Sequence, residues 1–211
     1  MSDAYRPSAA AAAGRADFAT LAPWIAQGSR VLDLGCGDGS LLAYLARERA
    51  AIGYGIEIDA AGVLACVRQG VNVLQSDLES GLAGFDDASF DCVILSQTLQ
   101  AMRHTEVIVD EMLRVGRDAI VTFPNFGHWT HRLQIARGRM PVSKALPYQW
   151  YATPNIHLCT VADFDVFLAE RRCAIENRVV VSGARIVTLL RNLRGELAMY
   201  RFRRAGEPVT R

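Results

Sequence analysis

Short apolar runs alternate with amphipathic stretches over the first two thirds of the chain, a pattern that predicts repeated strand and helix pairs. Arg30 to Leu34 reads as a strand, Ser40 to Arg49 as a helix and Ala51 to Ile56 as a second strand. Asp59 caps a helix to about Gln69, and Gly70 supplies its stop. Val71 to Leu74 is a third strand. Phe90 to Leu95 is nearly all apolar, as expected of a central parallel strand covered on both faces. Thr105 with Glu106 opens a helix to Val115, and Asp118 to Phe123 gives a fifth strand closed by Pro124. Upstream, Asp17 to Ala26 reads as an amphipathic helix through Phe18, Leu21, Trp24 and Ile25. Downstream come a long segment from Asn125 to Cys159 and a helix opened by the capping box Thr160-Val161-Ala162-Asp163. Strands near Ala174 to Val181, Arg185 to Leu189 and Glu196 to Phe202 follow. The order predicts an α/β, Rossmann-like doubly wound sheet with helices on both faces, whose ligands bind beyond the carboxyl ends of the strands.

The 211 residues, 51% hydrophobic, suffice for one full core. We expect a single domain over 15–204 with an insert at about 125–159, between tails at 1–14 and 205–211. Ala9 to Ala13 has the look of a signal peptide, but Asp3 precedes it and Pro7 interrupts it, so a flexible tail is the better reading. A formal charge of +1 gives no long-range pull toward nucleic acid or an anionic membrane. The basic C-terminal residues Arg191, Arg194, Arg201, Arg203, Arg204 and Arg211 read as a solvated face. No apolar run approaches the roughly 18 to 20 residues that span a bilayer. Five scattered cysteines without a C-x-x-C pair point to a reducing cytoplasm and to no metal site. Cys36 stands apart because it lies in a turn before a helix, where a small side chain that merely fits and an activated thiol are the two readings.

That turn carries the chemistry. Arg30-Val31-Leu32-Asp33-Leu34-Gly35-Cys36-Gly37-Asp38-Gly39-Ser40 joins a strand to a helix through residues almost without side chains, so the backbone can approach a ligand beside the free N–H groups of the helix. The dinucleotide fingerprint G-x-G-x-x-G fits imperfectly, since Ser40 stands at its third glycine. Asp33, at the strand's carboxyl end, would repel a pyrophosphate and suits an ammonium group. Glu57 ends the next apolar run, where a ribose would present its hydroxyls to either kind of cofactor.

Asp33, the run D-L-G-C-G-D-G and Glu57 together resemble the class I S-adenosylmethionine-dependent methyltransferases. The resemblance implies a mostly parallel seven-stranded sheet with a C-terminal antiparallel strand pair and a bound S-adenosylmethionine or S-adenosylhomocysteine. It implies that Gly35, Cys36 and Gly37 hold the methionine moiety and that Asp33 orients its amino group. By the same token Glu57 accepts from the ribose hydroxyls, and Ile58 packs on adenine. Asp77 then meets the adenine amino group, the Leu78 N–H meets a ring nitrogen, and Ser96 offers its carbonyl to the ammonium. Asp77 and Ser96 also suit ordinary turn or cap positions. No N-P-P-Y or D-P-P-Y tetrapeptide follows the fourth strand, which counts against a nucleic-acid base as acceptor.

Beyond Phe123 the chain is similar to the methionine biosynthesis protein MetW family, through F-P-N-F-G-H-W and L-P-Y-Q-W-Y-x-T-P-N-I-H together with R-V-L-D-L-G-C-G-D-G-S-L-L and G-I-E-I-D. This resemblance implies a role in methionine biosynthesis alongside a homoserine O-acyltransferase, with no particular methyl acceptor. Within the insert, Asn125, His128, Trp129, Tyr148, Trp150 and His157 are candidates for an acceptor or partner pocket, since aromatic surfaces with polar tips suit both roles. His128 and His131 share an i, i+3 spacing but lack the acidic or thiol companions of a metal site. His157 reads as a general base or as a packed histidine. Arg132, Arg137 and Arg139 read as solvent or partner contacts, or as a site for an anionic acyl donor. Three functions fit in different degrees: a cofactor-holding regulator of the acyltransferase, a small-molecule methyltransferase, and least well a nucleic-acid methyltransferase.

Overall fold

The computed structural model describes residues 17–206. The tails expected at 1–14 and 205–211 lie outside these residues, apart from 205 and 206. Five parallel strands build the first part of the sheet: β1 (Arg30–Leu34), β2 (Ile52–Glu57), β3 (Asn72–Gln75), β4 (Phe90–Ser96) and β5 (Gly116–Pro124). Helices α1 (Ser40–Arg49), α2 (Ala60–Arg68) and α3 (Thr105–Val115) lie between them. The chain continues through α4 (Trp129–Ala136), α5 (Val161–Glu170), β6 (Cys173–Ser182), β7 (Arg185–Ile186), the single turn α6 (Arg191–Arg194) and β8 (Leu197–Arg204).

The strand order is β3-β2-β1-β4-β5-β8-β6-β7. β1 is central, with Leu32 in register with Tyr54 of β2 and with Val93 of β4. The last strand in sequence, β8, runs antiparallel between β5 and β6. The seven strands that the resemblance implies are present, and the two-residue β7, where the chain's own pattern predicts a longer strand, makes an eighth.

Side chains that alternate along each strand reach opposite faces. Leu32, Leu34, Val93, Leu95 and Phe123 join α3 and α5 in one core, while Val31, Cys92, Ile94, Ile120 and Met199 join α1 in the other. Burial on both faces is why β1, β4 and β5 are continuous apolar runs in the sequence. Phe164 of α5 sits 4.9 Å from both Phe123 and Tyr200, ring centre to ring centre, so an aromatic cluster seals α5 to the sheet.

Local chemistry sets the element ends. Asp59 accepts from the Gly62 N–H at the start of α2, and the Thr160 hydroxyl accepts from the Asp163 N–H at the start of α5. Three expectations are corrected. The helix expected over Asp17 to Ala26 is a helical turn over 17–21 followed by a 3-10 turn at Ala22–Trp24, where Pro23 removes a donor. The strand expected over Arg185 to Leu189 pairs only at Arg185 and Ile186, with Ile186 63% exposed at the sheet's edge and no further strand among the described residues to cover it. The insert holds an unpredicted helix, α4, whose apolar positions fall on more than one face. The C-terminal arginines also prove more engaged than a solvated face: Arg201 pairs with Asp118 at 2.6 Å and Arg203 with Glu176 at 2.7 Å. Arg211 lies outside the described residues. Among the described residues, no helix is long and apolar enough to cross a membrane.

Candidate functional site

The carboxyl ends of β1 to β5 lie along one edge of the sheet, and the glycine turn leaves β1 there. The N–H groups of Gly35 and Cys36 both donate to the Ile56 carbonyl, at 2.8 and 3.0 Å, which folds the turn back over β2. Gly35 has φ +71°, and a Cβ there would lie 2.8 Å from the Thr98 hydroxyl, so no side chain fits. Gly37, at φ +57°, has open space where a Cβ would stand. The turn is therefore packed from below at Gly35 and bare at Gly37, a shape that admits close approach of a ligand.

Two buried carboxylates lie beside this turn, at 2% exposure for Asp33 and 6% for Glu57, Glu57 bonded to Gly37 and Asp33 close enough for its charge to act on Cys36. Asp33 Oδ1 has no hydrogen-bond partner, and burial followed by the neighbouring Glu57 charge pushes its pKa up to about 7. A buried acceptor without a donor is costly, and an ammonium group in the turn would relieve it. Glu57 is instead well supplied: Oε2 accepts from the Gly37 N–H at 2.7 Å, and Oε1 from the N–H groups of Ile58 and Asp59, both at 2.9 Å. A carboxylate has about four acceptor positions, so roughly one stays open for a hydroxyl. A second hydroxyl would have to displace the Gly37 N–H.

The other residues expected of a cofactor site lie at the same edge. Ile58, 60% exposed, presents an apolar side chain beside Glu57. Asp77 does serve as a cap, its Oδ1 accepting from the Glu79 N–H at 2.9 Å, and Leu78 opens the short turn Leu78–Ser80. Ser96 bonds the Thr122 hydroxyl at 3.1 Å, and its carbonyl accepts from the Thr98 hydroxyl at 3.0 Å. Sequence reasoning missed Gln97, Thr98 and Asp17. Gln97 has φ +52°, a strained value for a side-chain-bearing residue, held by its N–H donating to the Thr122 carbonyl at 2.9 Å. Its amide lies 3.4 Å from Asp17, whose pKa burial raises to about 6. No spacing signal in the sequence links residues 17 and 97.

The six insert candidates do not form one pocket. Asn125 is wholly buried and its side chain is spent on structure. Nδ2 donates to the carbonyls of Asn192 and Gly195 at 3.0 and 2.8 Å, and Oδ1 accepts from the N–H groups of Gly127 and Val161 at 3.0 and 3.2 Å. It pins the start of the insert to α5 and to the turn before β8. Asn125→Ala should cost about 2 to 3 kcal/mol in urea unfolding, because four buried backbone groups lose their partner at once; a loss below about 0.5 kcal/mol would refute the pin.

His157 lines a cavity of about 400 Å³ with Leu99, Gln100, Arg103, Phe123 and Phe164, where Nε2 lies 3.3 Å from the Arg103 carbonyl. His128 and Trp129 line a different cavity of about 560 Å³ beside β7 and α6. Neither cavity is lined by Asp33 or Glu57. Trp150, 69% exposed, packs edge-on against Tyr151, while Tyr148 is half-buried nearby in sequence. His128 and His131 are both buried, and burial lowers both pKa values. Arg132 donates to the Gly127 carbonyl at 2.6 Å, a structural tie. Among the described residues, no three His, Cys, Asp or Glu side chains converge as a metal site would require.

The family model for methionine biosynthesis protein MetW matches residues 15–202. The chain belongs to the MetW family. The curated relative most informative for this MetW-family chain is the bifunctional methionine biosynthesis protein MetXA/MetW of Rhodopirellula baltica, 38% identical over 165 residues. The match covers 74% of the chain and 26% of that longer protein. Over 43% of the chain and 34% of the relative, it is also 32% identical to a phthiotriol/phenolphthiotriol dimycocerosates methyltransferase of Mycobacterium ulcerans. Among solved structures, a methyltransferase dependent on S-adenosylmethionine from Mesorhizobium loti superposes with TM-score 0.67 at 17% identity, covering 90% of this chain and 98% of that one. Magnesium protoporphyrin IX methyltransferase of Synechocystis, solved with S-adenosylhomocysteine bound, gives TM-score 0.65 at 18% identity over 97% and 90%. The MetW-family chain thus has the methyltransferase Rossmann-like fold.

Proposed function

We propose that this MetW-family protein binds S-adenosylmethionine or S-adenosylhomocysteine at the glycine turn and, so loaded, acts on a homoserine O-acyltransferase of methionine biosynthesis. The observation that carries the cofactor half is the buried, unpartnered Asp33 oxygen at the foot of a turn that is bare at Gly37. A cationic amino group is the partner that this acceptor lacks, and a phosphate would worsen its position. Glu57 would take a ribose hydroxyl at its remaining acceptor position, and the exposed Ile58 side chain would cover one face of the adenine. Asp77 and Leu78 would read its edge, and the carbonyl of Ser96 would share the ammonium with Asp33. When bound, the sulfonium supplies an electrophilic methyl group. The partner half is supported by the Rhodopirellula baltica relative, in which a MetXA part and a MetW part share one name and one chain.

A second reading, a methyltransferase acting on a small molecule, draws on the cavity of about 400 Å³ beside the exits of β4 and β5. That volume falls within the range of small-molecule sites, and its walls are largely apolar. The two readings separate in one assay. The initial rate of homoserine acylation is measured with and without this protein, each with and without S-adenosylmethionine. Stimulation that grows with the cofactor, without formation of S-adenosylhomocysteine, is the expected result. No change in rate, with no association of the two proteins, would overturn the regulatory reading and leave the methyltransferase one.

A further inference from the structure

The glycine turn carries a thiol, and a second thiol lies against it from α2. Cys36 and Cys66 are both reduced and both buried, with their sulfurs 3.6 Å apart. Glycines make the room they occupy: a Cβ on Gly39 would come to 3.0 Å from the Cys66 sulfur, and one on Gly55 would strike the Cys36 sulfur. Cys66 also donates its S–H to the Gly37 carbonyl at 3.3 Å. Residue 37 is thus gripped at its carbonyl by Cys66 and at its N–H by Glu57. A disulfide has an S–S length of about 2.05 Å, so closure asks the two sulfurs to approach by roughly 1.5 Å.

We propose that Cys36 and Cys66 form an oxidisable dithiol that closes to a disulfide under a peroxide and thereby switches the glycine turn out of its binding shape. The Cys66 thiolate attacks one peroxide oxygen, the O–O bond breaks, and the departing hydroxide takes a proton to leave as water. The Cys66 sulfur is then a sulfenic acid. Cys36, giving its proton to the hydroxyl group that leaves Cys66, forms the S–S bond as the S–O bond breaks and a second water departs. The two thiols supply the two electrons that reduce the peroxide, and a dithiol reductant reverses the change.

Cys66 is the attacking sulfur because its thiolate accepts the hydrogen bond that the Cys36 S–H can donate at 3.6 Å. Burial raises the pKa of both thiols, so the reaction is slow while the turn is packed and speeds up when the turn opens. A ligand seated on the turn holds it closed and shields the pair. Closure of the disulfide draws Cys36 toward α2 and disturbs the bonds of Gly35 and Cys36 to Ile56 and of Gly37 to Glu57. The effect on affinity rests on the cofactor reading above, whereas the thiol chemistry does not.

The test uses the full chain, reduced, treated with graded hydrogen peroxide with and without S-adenosylhomocysteine. Free thiols are then alkylated and the peptides identified by mass spectrometry. Calorimetry with S-adenosylhomocysteine is run on the reduced and the oxidised protein. The expected result is a Cys36–Cys66 linked peptide that dithiothreitol opens, slower formation with the ligand present, and affinity weakened by about tenfold or more in the oxidised form. Cys66→Ala removes the grip on the Gly37 carbonyl and so starts from an affinity of its own; it should give no linked peptide, and that starting affinity should not change with the same peroxide dose. Absence of the linked peptide at doses that have consumed Cys159 and Cys173 would overturn the dithiol, and a linked protein of unchanged affinity would overturn the switch. A reduced protein that binds no S-adenosylhomocysteine would mark failure of the cofactor reading and so of the switch, while the linked peptide still decides the thiol chemistry.

Discussion

Glu57→Ala is expected to destabilise the ligand-free protein by about 3 to 5 kcal/mol and to weaken S-adenosylhomocysteine binding by about 10- to 100-fold. The stability loss follows from three backbone donors, Gly37, Ile58 and Asp59, that share this one carboxylate in a partly buried setting. The affinity loss follows from two sources: the ribose contact itself, and a turn no longer held in shape at Gly37. Glu57→Gln keeps an acceptor at one of the two oxygens and should restore about half of the lost stability. Urea unfolding and calorimetry on the three proteins check this. Unchanged affinity in the alanine variant would remove Glu57 from the site.

Asp33→Asn should move stability and binding in opposite directions. In the ligand-free protein the folded-state pKa of Asp33 is about 7 against an ordinary 3.8. Between pH 4 and 7 the folded chain therefore holds a proton that the unfolded chain has already released, and this group removes stability as pH rises through that window. Above pH 7 the full penalty remains. The asparagine variant is spared it, so it should be more stable than the parent by up to about 4 kcal/mol at pH 8, with the gain shrinking toward zero near pH 4.

Its affinity for S-adenosylhomocysteine should fall, because the ammonium loses its counter-charge. In the parent, binding requires the ionised carboxylate and releases a proton below pH 7, so affinity should rise from about pH 6 and level off near pH 8, once Asp33 is fully ionised. The variant should lack that rise. Denaturation midpoints at pH 5 and 8 with matched calorimetry decide the matter, and parallel pH profiles for the two proteins would sink the assignment. Because Glu57 contributes to the raised pKa of Asp33, the double variant should show less than the sum of the single effects.

What the sequence revealed and what it concealed divide along physical lines. β1, β4 and β5 were legible because burial on both faces leaves an uninterrupted apolar run, and α2 and α5 because Asp59 and Thr160 cap them by local bonds. Asp33, Gly35, Gly37 and Glu57 were legible because the turn and the strand ends impose them within a few residues. The insert read poorly, since α4 has no single apolar stripe and its polar residues invite a ligand reading. Asn125 shows the difficulty: a buried amide that satisfies four backbone groups has the same letter as one that meets a substrate. Contacts between distant residues, Asp17 with Gln97 and Cys36 with Cys66, leave no trace in spacing. Gly39 and Gly55 did carry a hint, because each preserves space that only the fold shows to be filled by sulfur.

The place of β8 bears on how the chain is made. Synthesis delivers β5 and β6 well before the strand that must lie between them, so each presents an unpaired backbone edge to the surrounding solution until residues 197–204 leave the ribosome. During that interval the nascent chain carries Ile120, Val121 and Val180, all apolar and all destined for the interior, on strands whose shared neighbour does not yet exist. Assembly of this half of the sheet waits on β8, and the delay is a window for association between nascent copies.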